Sequence, residues 1–182
     1  MPAIAHAFVP ITAALAFARR RPPRPLVLAM VFAAMAPDLD GLMHPLFNVA
    51  KESIYGHRGF THSLFAALLV GALSAAFHRH LKVQPLTAAV AVGASMASHG
   101  LMDMMTSSGK PVAYLWPLTS LRIFADWRPL PGTPNAPSFI REVLSRIVPE
   151  TLHIILPLFV AAIVVRACFT VFRHLKSRDL NR

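Results

Sequence analysis

The sequence predicts an all-α fold: a polytopic membrane helical bundle of four to five helices with a long external loop. Hydrophobic residues make up 55% of the 182 residues and charged residues only 14%, against roughly 25% in soluble proteins. Several apolar stretches carry almost no charge, and basic residues cluster at their ends. Because a bilayer admits helices and excludes isolated charges, we expect a single membrane-embedded domain over residues 1–182.

Five apolar segments supply the helices. Residues 59–77 and 83–102 are close to the roughly 20 residues that cross a bilayer, and their only ionisable side chains are His62 and His99. Residues 151–172 form another span, which contains Arg166. Residues 25–39 and 3–18 are shorter, which leaves open a four-span version with a re-entrant or peripheral first helix.

The order of charge and apolar sequence predicts the topology. Four arginines at positions 19–24 follow the first apolar stretch, whereas a secretory signal carries its positive charge before that stretch. The positive-inside rule then places the N-terminus outside and the arginines in the cytoplasm. Alternating spans put the Pro-rich loop, about 106–149, outside. Seven ionisable side chains fall at the outer helix ends: His6, Asp38, Asp40, His57, His62, His99 and Asp103.

Other functions fit the composition less well. The net charge of +10 raises the possibility of nucleic-acid binding, but the basic residues flank apolar segments and do not alternate with aromatics as on a single-strand-binding surface. We therefore expect no nucleic-acid partner. Cys168 is the only cysteine, which excludes a disulfide within the chain and a cysteine-based zinc site.

Three motifs supply the candidate metal ligands. Asp38 and Asp40 follow Pro37 at the end of the second helix, where carboxylates oppose the helix dipole and need another favourable partner. The run from His57 to Ser63, HRGFTHS, introduces the third helix. We expect Gly59 to allow a tight turn and Thr61 to cap the helix.

The third motif ends the fourth helix. His99 and Asp103 are four residues apart, so their side chains lie on one helix face, one turn apart. This spacing suits a shared metal ion or a His–carboxylate hydrogen bond. Ionisable residues at membrane depth are costly and usually mark function. Imidazole with carboxylate predicts zinc, with manganese or iron as alternatives, and the number of ligands allows one or two ions.

Taken together, these motifs resemble those of a known family. The order of His6, PDLD, HRGFTHS and HGLMDMMTSSG, followed by WPLTSLRIFADWRP at 116–129, is similar to the YdjM family (DUF457) of bacterial inner-membrane metal-dependent hydrolases. The resemblance covers residues 6 to about 130. It implies a bacterial inner-membrane location and one metal site. The ligands that it implies are His6, Asp38, Asp40, His57, His62, His99 and Asp103.

Other residues near this site are weaker candidates. Arg58 is positioned to bind a phosphate or carboxylate of a substrate, or to contact lipid headgroups. Tyr114, Trp116 and Trp127 are typical of interface anchors, and their loop is expected to cover the site. One further acid or histidine of the outer side could join the site, and spacing does not choose among Asp126, Glu142, Glu150 and His153.

We therefore predict a metal-dependent hydrolase whose metal activates water, with Asp40 or Asp103 as the catalytic base. A site at headgroup level on the periplasmic side favours a lipid or other phosphoester as substrate. The alternative is a non-catalytic metal-binding membrane protein, either an ion carrier or a partner of a membrane complex. Ligands at helix ends rather than at the bilayer midplane disfavour a carrier.

Overall fold

The computed structural model describes residues 3–18, 21–107, 109–130 and 151–179, and these residues form helices joined by loops. Within them, contacts of β type are limited to isolated bridges, such as Val112 with Ile123. The predicted all-α class is thus confirmed. The α-helices are α1 (Ala3–Phe17), α2 (Arg24–Met35), α3 (Met43–Phe47), α4 (Leu64–Ala76), α5 (His78–Leu81), α6 (Pro85–Met104) and α7 (Leu156–Asp179).

Short helices of other types extend this set. A 3-10 helix over Ala36–Leu42 joins α2 to α3, another over Phe60–His62 precedes α4, and a π-helix over Thr151–Ile155 leads into α7. In the part of the chain that the structure describes, two helical stretches are long and apolar enough to cross a membrane, Arg24–Phe47 and Leu152–Phe172. The apolar helices at Ala5–Phe17 and Leu64–Ala76 are shorter, so length and composition support two spans, and four to five remains a prediction.

Local sequence sets the start of α4. Its N-cap is Ser63, whose Oγ accepts a hydrogen bond from the Ala66 backbone N–H at 3.1 Å. The expectation that Thr61 is the cap was wrong, because residues 60–62 form a 3-10 turn and the α-helix begins only at Leu64. The Thr61 hydroxyl instead donates to the Asp40 carboxylate. The Thr61 hydroxyl, predicted to cap the start of α4, therefore binds a predicted metal ligand instead.

The packing of α4 against α6 positions the site. The two helices run antiparallel and meet at Gly71 and Gly93, where a Cβ built on Gly71 would lie 3.2 Å from the Gly93 Cα. Small residues allow such close contact, which in lipid supplies much of the association energy. The buried residues of α2 join the same core, for example Leu26, Met30 and Ala33. This arrangement brings the start of α4 to the end of α6.

A second contact holds the last helix against the first. The Arg166 guanidinium on α7 donates to the carbonyl oxygens of Leu15 and Ala18, at 2.9 and 3.1 Å. Carbonyl groups in the last turn of a helix have no partner within the helix, so Arg166 satisfies groups that α1 leaves open. The charged residue that interrupts the last apolar segment therefore joins α7 to α1.

The described part of the predicted external loop returns over the helix ends. The Leu64 N–H donates to the Tyr114 carbonyl at 2.9 Å, and the Ala125 N–H donates to the Met104 carbonyl at 3.0 Å. Trp116 packs edge-on against Phe65 at 5.6 Å between ring centroids. The loop therefore contacts the ends of both α4 and α6. The later part of the predicted loop, 131–149, lies outside the described residues.

We expect Gly71→Ala to lower the melting temperature in detergent. The added Cβ would lie 2.8 Å from the Ala89 carbonyl oxygen, and overpacking of this kind costs about 1–3 kcal/mol. Gly41→Ala is the matched control, because its new Cβ would meet no atom closer than His57 Nδ1 at 3.9 Å. Equal melting temperatures for the two variants would contradict the proposed close contact of α4 with α6.

Candidate metal centre

Four separate helix ends deliver polar side chains to one buried point. His6 lies near the start of α1, Asp38 and Asp40 lie in the 3-10 turn after α2, and His62 lies just before α4. His99 and Asp103 occupy the last turns of α6. The structure brings all seven predicted ligands together, and each lies within 4 Å of at least one other. His57 and Asp38 are the more exposed members, at 41% and 22% of their side chains.

Four of these side chains converge as ligands of one ion would. Asp38, His62, His99 and Asp103 each offer one atom, and these atoms lie within 4.8 Å of one another. His62 Nε2 is 3.1 Å from His99 Nε2 and 3.6 Å from Asp103 Oδ2. Asp38 Oδ1 is 3.3 Å from His99 Nε2. Zinc–ligand bonds of 2.0–2.2 Å place tetrahedral ligands about 3.3–3.6 Å apart, and five pairs of these atoms are 3.1–3.9 Å apart, which is close to that spacing.

The hydrogen-bond partners of the two central histidines determine which ring nitrogen carries the proton. His99 Nδ1 lies 2.7 Å from the Ala34 carbonyl oxygen, which only accepts, so Nδ1–H donates. His62 Nδ1 lies 3.1 Å from both the Asp40 carboxylate and the Thr61 hydroxyl oxygen. Because the Thr61 hydroxyl gives its own proton to Asp40, both neighbours are acceptors and Nδ1–H donates. In neutral rings, both Nε2 atoms then carry lone pairs, and they face each other at 3.1 Å. Such a contact is repulsive unless a proton or a cation lies between the rings.

Asp40 contacts the Nδ1 side of His62 and is not one of the four converging side chains. One of its oxygens accepts from His57 Nδ1 at 2.7 Å, and the other accepts from the Thr61 hydroxyl and from His62 Nδ1. Asp40, His57 and His62 are close enough to form a second possible metal group. However, 2.7 Å is a hydrogen-bond distance between the two polar atoms. The arrangement matches the carboxylate–histidine pairs that orient metal ligands.

Arg58 lies inside the cluster. Its side chain is 4% exposed, its Nε lies 3.0 Å from Asp103 Oδ2, and its Nη1 donates to the Lys110 carbonyl. The backbone at Arg58 is left-handed, with φ 64°, whereas Gly59 has φ −83°. The tight turn expected at Gly59 thus has its unusual conformation one residue earlier. This turn directs the guanidinium toward Asp103.

His6 completes one side of the cluster. Its ring stacks on His99 with centroids 3.7 Å apart, and its Nε2 lies 3.7 Å from Asp103 Oδ1. Among the described residues, neither of its buried ring nitrogens has a hydrogen-bond partner. An unsatisfied buried polar group costs free energy, so a ligand for this ring would stabilise the cluster.

The described cluster holds more carboxylates than cationic side chains. Its acids are Asp38, Asp40 and Asp103, and Arg58 is its one always-charged basic side chain among the described residues. Buried charge is expensive, all the more in a membrane. A divalent cation at the four-ligand point would offset negative charge there, and a donor set of two imidazoles and two carboxylates suits such an ion.

Some predicted outer residues do not join the cluster. Asp126 and His153 are exposed, and neither belongs to the possible metal groups among the described residues. Glu142 and Glu150 lie outside the described residues. Sequence reasoning missed the roles of Thr61 and of the Ala34 carbonyl. The position of Thr61 beside His62 was a usable signal, whereas a backbone carbonyl leaves none.

Comparison with known proteins agrees with the motifs. The family described as YdjM inner membrane protein matches residues 1–175. Inner membrane protein YbcI of Escherichia coli K12 is 37% identical over 134 residues, which cover 73% of this chain and 77% of that protein. Inner membrane protein YdjM of the same organism is 35% identical over 106 residues, which cover 50% of this chain and 49% of that protein.

The YdjM match therefore spans about half of each protein. The YdjM protein of Shigella flexneri gives the same identity over the same length. No solved structure matches the chain. Since the family match covers nearly the whole sequence, the chain belongs to the YdjM family of inner membrane proteins.

Proposed function

We propose that this protein is a membrane-bound metal-dependent hydrolase that holds one divalent ion, zinc in the first instance, between Asp38, His62, His99 and Asp103. The observation that carries the proposal is the pair of Nε2 lone pairs facing each other at 3.1 Å, with the carboxylates of Asp38 and Asp103 converging on the same point. A proton would satisfy the two nitrogens alone. A metal ion also satisfies the two carboxylates.

The remaining side chains have distinct roles in this proposal. Asp40 holds the His62 ring in its ligand tautomer, and His57 and Thr61 hold Asp40 in turn. Arg58 orients Asp103 and bears positive charge close to where a substrate phosphate would bind. His6 has two buried nitrogens that need a partner, which makes it a fifth candidate ligand.

A divalent ion in this site would polarise an ester and lower the pKa of bound water toward neutrality. Asp40 and Asp103 are the acids considered as general base. Both oxygens of Asp40 already accept hydrogen bonds from neighbouring side chains. Asp103 faces the four-ligand point, so it is the better candidate to accept a proton there. Manganese and iron suit the same donor set.

The location of the site supports a substrate class and a topology. Ligands at helix ends, beside segments that pack on the ends of α4 and α6, suit an ester at the membrane face, such as a lipid phosphoester. We further propose four to five spans with the site on the periplasmic side, because this topology keeps the basic clusters in the cytoplasm. The short apolar helices α1 and α4 would then cross where the bilayer is thinned or locally covered.

A non-catalytic metal-binding protein is the second candidate. Burial of most of the cluster favours it, since a catalytic metal needs an open coordination position. The partial exposure of Asp38 and His57 favours hydrolysis instead, because it leaves a path to the ligands. Metal content and ester cleavage, measured on the same preparation, separate the two.

Wild-type protein, purified in detergent through a tag that binds no metal, should contain about one divalent ion per chain. His62→Ala and Asp103→Asn should lose most of that ion, because each removes one of four converging ligands. The measurement is elemental analysis by mass spectrometry. A second ion per chain would contradict the proposal of one ion, and wild-type protein without metal would contradict the proposed function.

Two histidines outside the cluster provide matched controls for these variants. His44 and His78 each place Nδ1 3.0 Å from a backbone carbonyl, and neither belongs to a possible metal group of the described residues. His44→Ala and His78→Ala should keep the ion. Helical circular dichroism of every variant distinguishes loss of a ligand from loss of the fold.

Asp40→Asn should weaken metal binding by about 10- to 100-fold without abolishing it, which is the usual effect of removing a carboxylate that orients a ligand histidine. The asparagine oxygen still accepts from His62 Nδ1, but the charge is gone. Competition with a chelator of known affinity gives the dissociation constant. An affinity unchanged from wild type would assign Asp40 no part in the site, and complete loss would make it a direct ligand.

The zinc-loaded protein should cleave phosphoester lipids in vesicles, and a chelator should abolish the activity until metal is restored. Thin-layer chromatography or mass spectrometry of the lipids detects the products. Asp38→Asn, which removes a charge at the exposed edge of the site, should slow cleavage. Bound metal with no cleavage of any ester would support the non-catalytic candidate.

A further inference from the structure

The partly exposed side chains of His57 and Asp38 mark the side from which the cluster can be reached, which we call the opening, and two chain segments contact His57. The His57 side chain is the most exposed of the cluster. The first segment is the 3-10 turn after α2, where a Cβ on Gly41 would lie 3.9 Å from His57 Nδ1. The second is the external loop, where Arg122 Nη1 donates to the His57 carbonyl at 3.0 Å. Residues beside these contacts border the opening, and we call them the rim.

Exposed leucines dominate this rim. Leu39 and Leu42 in the first segment are 55% and 51% exposed, and Leu121 in the second is 69% exposed. Exposed apolar side chains that stand singly are ordinary on a protein surface. Here they come from two distant segments that both contact His57, which needs a separate explanation.

The second segment is continuous with the lipid-facing surface of α4. Trp116 packs on Phe60 and Phe65, with ring centroids 5.9 and 5.6 Å apart, and Phe65 belongs to the exposed apolar face of α4. Two residues further, Leu118 is 90% exposed. The apolar surface therefore runs from the side of the helix onto the loop without a polar break at Trp116.

Basic groups lie next to the leucines. Lys51 is exposed, Lys110 is partly exposed, and Arg122 also donates to the Ser53 carbonyl at 2.7 Å. The acids beside them are Glu52, which pairs with Lys110, and Asp38, which is 22% exposed and precedes Leu39. Apolar side chains beside lysine and arginine are the composition of surfaces that lie at the headgroup–acyl boundary and attract anionic lipid.

We propose that the rim is immersed in the headgroup region of the bilayer and contacts anionic phospholipid, so that the site opens to the leaflet and not to bulk water. The immersion itself depends only on the surface. The consequence for substrate rests on the proposed function: the ester would arrive as a lipid within the leaflet. A water-soluble ester would have to reach the opening through headgroups.

Single tryptophans at chosen depths test the immersion. The chain has two tryptophans, and Trp116→Phe with Trp127→Phe gives a tryptophan-free background. Into it we would introduce Leu39→Trp or Leu121→Trp at the rim. Leu73→Trp, about 14 Å along α4 from its first residue, serves as the deep reference, and Lys51→Trp as the shallow one. The protein is reconstituted in vesicles that contain phosphatidylglycerol and lipids brominated near the carbonyl or near the chain end.

Rim tryptophans should be quenched at least twofold more by bromine near the carbonyl than by bromine near the chain end, with little quenching by aqueous iodide. Leu73→Trp should show the reverse preference between the lipids. Rim probes that iodide quenches and neither lipid quenches would overturn the proposal, because the opening would then face water. Protection from all three quenchers would also overturn it, since a protein partner would then cover the rim.

Ester cleavage provides an independent test of the proposal. Leu39→Gln with Leu121→Gln should reduce cleavage of vesicle lipid at least fivefold, while cleavage of a soluble phosphodiester and metal content stay within twofold of wild type. An equal loss on both substrates would refute entry from the leaflet. If no ester is cleaved by wild type, the proposed function fails and the quenching result alone decides the immersion, so the two failures are distinguishable.

Discussion

The site depends on one electrostatic constraint: the carboxylates of Asp38, Asp40 and Asp103 lie beside two facing imidazole nitrogens and need compensating positive charge. Arg58 supplies part of it through Asp103 at 3.0 Å. At the point where His62 and His99 meet, their Nε2 atoms lie 3.1 Å apart. In a low-dielectric interior, charges and facing lone pairs without a compensating partner are costly. We therefore propose that the cation stabilises the fold in addition to its role in catalysis.

The helices meet this constraint through their ends. A Gly71–Gly93 contact sets how closely α4 and α6 approach, and the antiparallel run then brings His62 near His99. The close approach of the two backbones continues at Gly100, beside the site, where a Cβ would lie 2.2 Å from the His62 carbonyl oxygen. The polar cluster and the glycine contacts are therefore two parts of one arrangement, in which backbone proximity sets ligand proximity.

The sequence was sufficient to predict the class of fold and the residues that meet. Hydropathy gives the helices, and four-residue spacing gives the shared face of His99 and Asp103. It could not separate ligands from the groups behind them. Asp38 and Asp40 are two residues apart in one turn, yet one faces the four-ligand point and the other faces His57 and Thr61. That difference arises from the 3-10 geometry of residues 36–42, which composition does not encode.

The depth of the site bears on what kind of protein this is. A carrier binds its ion near the bilayer midplane, where both sides can reach it in turn. Here the ligands lie at helix ends, and the predicted external loop is hydrogen-bonded beside them through Leu64, Ala125 and Arg122. Moving an ion from that position to the other end of the bundle would mean crossing the apolar core of α2, α4 and α6. Among the described residues, the buried carboxylates and imidazoles all belong to the cluster, so the arrangement favours a site that acts at one end of the bundle over a carrier.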